Sequence, residues 1–243
     1  RLQHARVDRD ERMSRDFDGI DDDIEVANVF NTQTNPLSQL CWVYPDSYAH
    51  LGAAGNEANV FVQRGAGGVT WMNVDRRNGN QVLSSFLGGV NTFATTDILV
   101  GQWYFLGVTV DSLATRTIRL YVNAVMETSR TVTVASATGV YRLGKAISPD
   151  DAREEWDGLI AHMHLYNRVL SADEMRQVMS LPGSVSNGLQ LYMPLSGWNA
   201  PEIDLSGNNR TGTVTGAIFR DAWPPINGMF VPGPPGGAVM AGG

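Results

Sequence analysis

The chain has 243 residues, 43% of them hydrophobic, with 26 glycines and 11 prolines, a size that buries a sizeable core without help from disulfides. Its formal net charge is -7, which removes any electrostatic reason to hold a phosphate backbone, and no apolar run reaches membrane-spanning length, so nucleic acid and a membrane span are both set aside. Cys41 is the single cysteine; no intrachain disulfide is possible, and its place in the strand-like run Leu40-Cys41-Trp42-Val43 reads as a small buried hydrophobe.

In chain order, residues 1–16 form a charged N-terminal arm in which arginines alternate with acids. Such a segment has no hydrophobic face and holds no single shape alone. From Phe17 to about Gly144, short apolar runs are separated by turn pairs such as Asn78-Gly79, the punctuation of antiparallel strands. Tyr104, Leu106, Val108 and Val110 alternate with Trp103, Phe105, Gly107 and Thr109, and Ile118, Leu120 and Val122 alternate with Arg119 and Tyr121. Period-two patterns put one set on the core face of a sheet, so Leu120 and Trp103 are expected to be buried. Arg64-Gly65-Ala66-Gly67-Gly68 lacks the strand–loop–helix setting of a phosphate cradle and reads as a turn.

One segment has helical spacing. Ser171 with Glu174 forms a capping box, Met175, Val178 and Met179 follow, and Pro182-Gly183 stops the run. Residues 181–226 add further strand-like pieces around Leu189–Met193 and Thr213–Thr215, separated by turn chemistry at Asp204–Asn209. Residues 227–243 are rich in glycine and proline and nearly uncharged. They build no core of their own, although Phe230 and Val231 offer apolar anchors. The fold expected from these runs is an all-β antiparallel sandwich with one short helix and extended N- and C-terminal arms.

Four stretches carry a resemblance. They are Phe17-Asp18-Gly19-Ile20-Asp21-Asp22; Cys41-Trp42-Val43-Tyr44-Pro45; Gln102-Trp103-Tyr104 followed by Arg119-Leu120-Tyr121-Val122-Asn123; and Trp156-Asp157-Gly158-Leu159-Ile160 running to Leu170-Ser171. Their order and spacing over residues 17–180 resemble a laminin G-like jelly roll of the concanavalin A-like lectin/glucanase superfamily. The resemblance implies two antiparallel sheets packed face to face. Residues 188–217 resemble the segment that often opens such domains, yet here they follow the closing helix. Packing on their own sandwich and exchange with a neighbour both stay open.

Glucanases of that superfamily carry Glu-x-Asp-x-x-Glu on a strand, two of whose acids act as nucleophile and general acid. Here Glu155 and Asp157 are present and Ile160 stands in the third position, so the chain is expected not to be an enzyme. Relatives also hold calcium through oxygen ligands, and the resemblance offers Asp18, Asp21, Asp22 and Asp157 as a candidate calcium site. The closing strand, which often reads Ile-Asp-Glu, reads Ile160-Ala161-His162 here and lacks an expected acid. His162 and His164, two apart, have no evident third metal ligand and read as a surface or sheet-face pair. Trp71, with Arg76 and Arg77 nearby in a loop-rich region, is the candidate ligand-binding group. Asn209-Arg210-Thr211 is a glycosylation sequon, meaningful in a secretory setting.

These readings lead to a non-catalytic structural or decorating subunit of an extracellular or virion surface assembly. Residues 1–16 and 227–243 would dock onto other protein chains in a homo-oligomer or larger assembly. The alternative is a lectin-like module for a cell-surface glycan, with calcium dependence as an option.

Overall fold

The period-two runs become strands in the computed structural model, which describes residues 14–27, 36–49, 57–65, 68–87, 90–111, 115–133, 139–145, 154–196 and 200–226. In chain order these hold β1 (Ser14–Asp18), β2 (Asp23–Val26), β3 (Leu37–Pro45), β4 (Glu57–Gly65), β5 (Gly68–Arg77), β6 (Asn80–Leu87), β7 (Val90–Asp97) and β8 (Tyr104–Val110). They continue with β9 (Thr115–Val122), β10 (Val125–Thr133), β11 (Gly139–Leu143), β12 (Asp157–Tyr166), α1 (Ala172–Ser180), β13 (Leu189–Met193), β14 (Gly212–Thr215) and β15 (Ile218–Arg220). Residues 1–13 and 227–243, on which the docking arms were read, lie outside the described residues.

Two antiparallel sheets result. The eight-stranded sheet runs β10-β9-β8-β3-β12-β1-β15, with β13 also on β12; the seven-stranded sheet runs β14-β2-β11-β4-β5-β6-β7. β3 lies along one side of β12. On the other side β1 pairs residues 157–160 and β13 pairs residues 163–166. The segment after the helix therefore contributes β13 and β15 to one sheet and β14 to the other. One boundary differs from the sequence reading: Ser14, Arg15 and Asp16, counted with the arm, are residues of β1. The charges of Arg15 and Asp16 pair within the chain, with Glu202 and Arg220.

Between the sheets lies one apolar cluster that includes Phe17, Ile24, Phe61, Met72, Leu106, Leu120, Tyr141, Trp156 and Ile160. Alternation in each strand sends these side chains inward from both sheets. A second cluster sits on the outer face of the eight-stranded sheet, where Met175 and Val178 of α1 meet Leu40, Trp42, Phe105, Tyr121 and Tyr166. α1 is held there by the capping box of Ser171 and Glu174, and Glu174 also takes both terminal nitrogens of Arg168. Trp103 is half-buried, packed against the edge of this second cluster, because the strand begins one residue later.

Leu120 is 0% exposed in the inter-sheet core. Leu120→Ala is expected to cost about 2–5 kcal/mol, the lost transfer energy plus a cavity. Chemical denaturation measures this, and a loss below about 1 kcal/mol would show that the leucine is not the core group described.

Two backbone positions are dictated by sequence. The β5–β6 hairpin turns on Asn78 (φ 52°) and Gly79 (φ 91°), the residue types that tolerate a left-handed two-residue turn. Gly158, at φ 136°, brings β12 so close to β3 that a Cβ would lie 2.2 Å from the carbonyl oxygen of Tyr44. The edge of β7 is protected by Glu127 of β10, whose carboxylate accepts the backbone N–H groups of Thr95 and Thr96 at 2.7 and 2.9 Å. These bonds hold its pKa below the ordinary glutamate value, against the opposing effect of burial, and they satisfy an edge that would otherwise template pairing with another chain.

Candidate functional site: the outer face of the seven-stranded sheet

The strands β4 to β7 send one side of their pleat toward the core and the other outward. Cross-strand partners share a face. Ala58 with Val74 and Phe61 with Met72 are core pairs, so Glu57 with Asp75 and Asn59 with Asn73 face out. Asn73 continues to Ser84, and Ser84 to Phe93. A row Asn59–Asn73–Ser84–Phe93 thus crosses four strands, with Glu57, Asp75, Val82 and Asp97 in the row beside it.

An outer face is usually wet, but Asn59, Asn73 and Ser84 are buried and Asp75 is only 5% exposed. Their hydrogen bonding is one-sided. Asn59 Nδ2 donates to the backbone oxygen of Glu154 at 2.8 Å, and Asn73 Nδ2 donates to Glu57 Oε2 at 2.6 Å. Asn59 Oδ1, Asn73 Oδ1 and Ser84 Oγ have no protein partner. A buried acceptor without a donor costs about 1–3 kcal/mol, so three in adjacent register positions mark a place that a ligand or ordered water completes. Burial pushes the carboxyl of Asp75 up to about 6, against the opposing pull of Arg77. The guanidinium of Arg77 lies 3.9 Å over the ring of Phe93, a cation–π contact.

Of the ligand residues expected from sequence, Trp71, Arg76 and Arg77 all lie on strand β5, not in a loop-rich region. Arg77 reaches the row; Arg76 is exposed beside the hairpin, and Trp71 stands opposite Val62 in register. The residues that sequence reasoning passed over are Asn59, Asn73, Asp75 and Ser84. Part of the signal was present: Asn73 and Asp75 alternate with Met72 and Val74, and Asn and Asp are depleted in strands.

The acids expected at a calcium site are partly gathered. Asp18, Asp21 and Asp22 offer oxygens within 4.8 Å of one another, a group that does not include Asp157. Asp157 stands opposite Asp18 in the β1–β12 ladder. Two of the carboxylates already serve the turn: Asp18 Oδ1 accepts from Ile20 N at 2.9 Å, and Asp22 Oδ2 from Asp18 N at 2.9 Å. Burial, reinforced by its acidic neighbours, raises the pKa of Asp22.

The glucanase-like motif falls elsewhere. Glu155 precedes β12, and Ile160, in the third acid position, is in the inter-sheet core. His162 and His164 are not a surface pair; both are buried. A bulge in β12, with His162 at φ 50°, turns both rings toward Tyr192 of β13. His162 Nδ1 lies 3.1 Å from the Tyr192 hydroxyl, and the His164 ring stacks on Tyr192 with centroids 4.4 Å apart. His164 Nε2 accepts from Gly183 N at 3.0 Å, which leaves the ring proton on Nδ1. Among the described residues, Asp18, Asp21 and Asp22 are the only group of three or more metal-ligating side chains, so the histidine pair gains no third ligand there. No helix among them is long and apolar enough to cross a membrane.

The architecture is that of a two-sheet jelly-roll sandwich. The sequence model of one family, described as the concanavalin A-like lectin/glucanases superfamily, matches residues 18–176. The chain belongs to that laminin G-like family. Among curated proteins, none matches it. Among solved structures it is similar to a Bacteroides ovatus protein provisionally classed as carbohydrate-binding, at 16% identity and a TM-score of 0.70, covering 88% of this chain and 61% of that one. It is also similar to a heptameric pentraxin of the SAP-like kind from Limulus polyphemus, at 16% identity and a TM-score of 0.53, covering 86% of this chain and 98% of that one. This chain thus spans 61% of the length of the Bacteroides protein. At such identities the likeness is one of fold.

Proposed function

We propose that the chain is a non-catalytic glycan-binding module that takes its ligand on the outer face of the seven-stranded sheet. The observation that carries this reading is the row of buried, unpartnered polar atoms Asn59 Oδ1, Asn73 Oδ1 and Ser84 Oγ. Saccharide hydroxyls are donors that complete such atoms. The Bacteroides fold neighbour supports the same class of ligand. The absence of a third acid, with Ile160 inside the core, supports binding without hydrolysis. Asn73→Ala is expected to weaken the tightest saccharide from a glycan array by about tenfold or more, while the far-UV spectrum stays that of a β-sandwich. Undiminished affinity in Asn73→Ala, or no glycan bound at all, would remove the reading.

Calcium is a separable part of the proposal. Asp18, Asp21 and Asp22 would hold it through carboxylate oxygens, and the cation would brace the turn between β1 and β2. Thermal melting in calcium chloride against a chelator, with Asp21→Asn as control, decides that part.

A second reading, a structural subunit of a surface assembly, is favoured by exposed Ile218 and Phe219 on the edge strand β15. Sedimentation at micromolar concentration tests it, and a monomer would count against it.

A further inference from the structure

The chemistry of the proposed face discriminates among sugars. Asn59 and Asn73 have both committed their amide nitrogens, to Glu154 and Glu57, so each presents only an acceptor oxygen. Asp75, in the adjoining row, is almost fully buried, and among the described residues no donor is placed on its carboxyl. In register, Glu57 of β4 stands opposite it and Asp97 of β7 lies beyond Val82, Glu154 of the segment before β12 reaches Asn59 in the next row, and Arg77 of its own strand is the charge that acts on it. Arg77 is engaged over Phe93. A ligand completing this row must therefore bring donors. A hydroxyl meets the requirement; an ammonium meets it and adds to the partial counter-charge that Arg77 already gives Asp75; a carboxylate or sulfate brings no donor.

We propose that the face selects saccharides bearing a free amine and rejects acidic ones, with Asp75 as the counter-ion of the amine. This rests on the reading of the face as a glycan site. The raised pKa of Asp75, about 6, adds a pH signature. Above it the carboxylate pairs with the ammonium; below it the proton removes the charge, and the preference fades. The ligand's own loss of a proton bounds the preference from the alkaline side.

The test is calorimetric titration of the full chain between pH 5 and 8 with matched oligomers of glucosamine and N-acetylglucosamine, of galactosamine and N-acetylgalactosamine, and with an oligogalacturonate. The free-amine member of a pair is expected to bind about tenfold more tightly near neutral pH. That advantage should shrink below about pH 6 as Asp75 is protonated. Asp75→Asn, which keeps the side chain's shape and removes a buried charge, should fold and lose the preference, so that the two members of each pair bind alike. Equal affinities within each pair, tighter binding of the oligogalacturonate, or a preference that survives in Asp75→Asn would overturn the proposal. So would calcium chloride alone displacing the sugar. If the N-acetylated or neutral sugars bind and Asn73→Ala abolishes this, the glycan face stands and only the selectivity falls. If no saccharide binds, both fall together.

Discussion

Glu202→Ala is expected to destabilise the protein by about 3–5 kcal/mol, the usual cost of removing one partner of a buried ion pair. Arg15 of β1 is 4% exposed and Glu202 1%, and Arg15 Nε donates to Glu202 Oε1 at 2.5 Å. Arg15 Nη1 also donates to the carbonyl oxygen of Ala217 at 2.9 Å. Arg15 shares its face of β1 with Phe17, so the charge is directed between the sheets and not into solvent. Glu202 is fixed in turn by backbone bonds in both directions with Gly212. Truncating the glutamate leaves the guanidinium in a place from which water is excluded. Equilibrium urea unfolding of Glu202→Ala, and of Arg15→Met/Glu202→Leu, measures the effect. The double variant should recover much of the loss, since two apolar groups avoid the desolvation that the ions suffer. A single variant within about 1 kcal/mol of the parent would show that the pair is solvated.

Mild acid is the second large lever. Burial lowers the pKa of His162 to about 4 and that of His164 to about 3, the latter helped by repulsion from His162 once that ring takes a proton. Above about pH 6.5 both rings are neutral whether the chain is folded or not, so they leave stability unaffected. As the pH falls below that value, the unfolded chain takes up protons that the folded chain refuses, and stability drops until the folded values are reached. Each histidine contributes a slope of about 1.4 kcal/mol per pH unit inside this window, for a total on the order of 3 kcal/mol or more apiece. Asp75 works in the opposite sense. Its raised value means that protonating the folded form relieves a buried charge, so acidification from about pH 6 toward 4 returns some stability. His164→Gln should halve the histidine slope between pH 6.5 and 5. An unchanged slope in that variant would mean that the ring is hydrated in the folded state.

The sandwich was legible because antiparallel strands with one face in the core write their period into sequence. The runs at Tyr104–Val110 and Ile118–Val122 needed no tertiary information. The helix was legible for the same reason, since Ser171 and Glu174 cap it by local bonds alone. The start of β1 was misplaced because Arg15 is charged, and a charged residue reads as surface until its partner, 187 residues away, is known. Asp18, Asp21 and Asp22 lie close in the chain and in space, so their gathering could be foreseen. Asn59, Asn73 and Ser84 come together only through strand register, and single-sequence reading does not supply register across bulges such as the one between Asn59 and Phe61. The histidine pair failed similarly. Both rings do lie toward one neighbour, Tyr192, but their burial was hidden, because that ring lies in a segment whose position was open.

β1 has one of its two neighbours some two hundred residues further along the chain. Ser14 opposes Arg220 in the ladder, and its hydroxyl donates to the carbonyl of Ala222, 208 residues further on. A ribosome adding roughly 5–20 residues per second needs about 10–40 s to deliver that partner. Throughout this interval β1 has one bare edge, and the arginine meant for Glu202 has no counter-ion. Closure therefore waits on residues 189–222, and the stretch matched by the family, residues 18–176, is made before the strands that complete both of its sheets. A chain built this way folds slowly for its size, as non-local pairing requires. The nascent domain is at its most vulnerable just before residues 202–222 arrive.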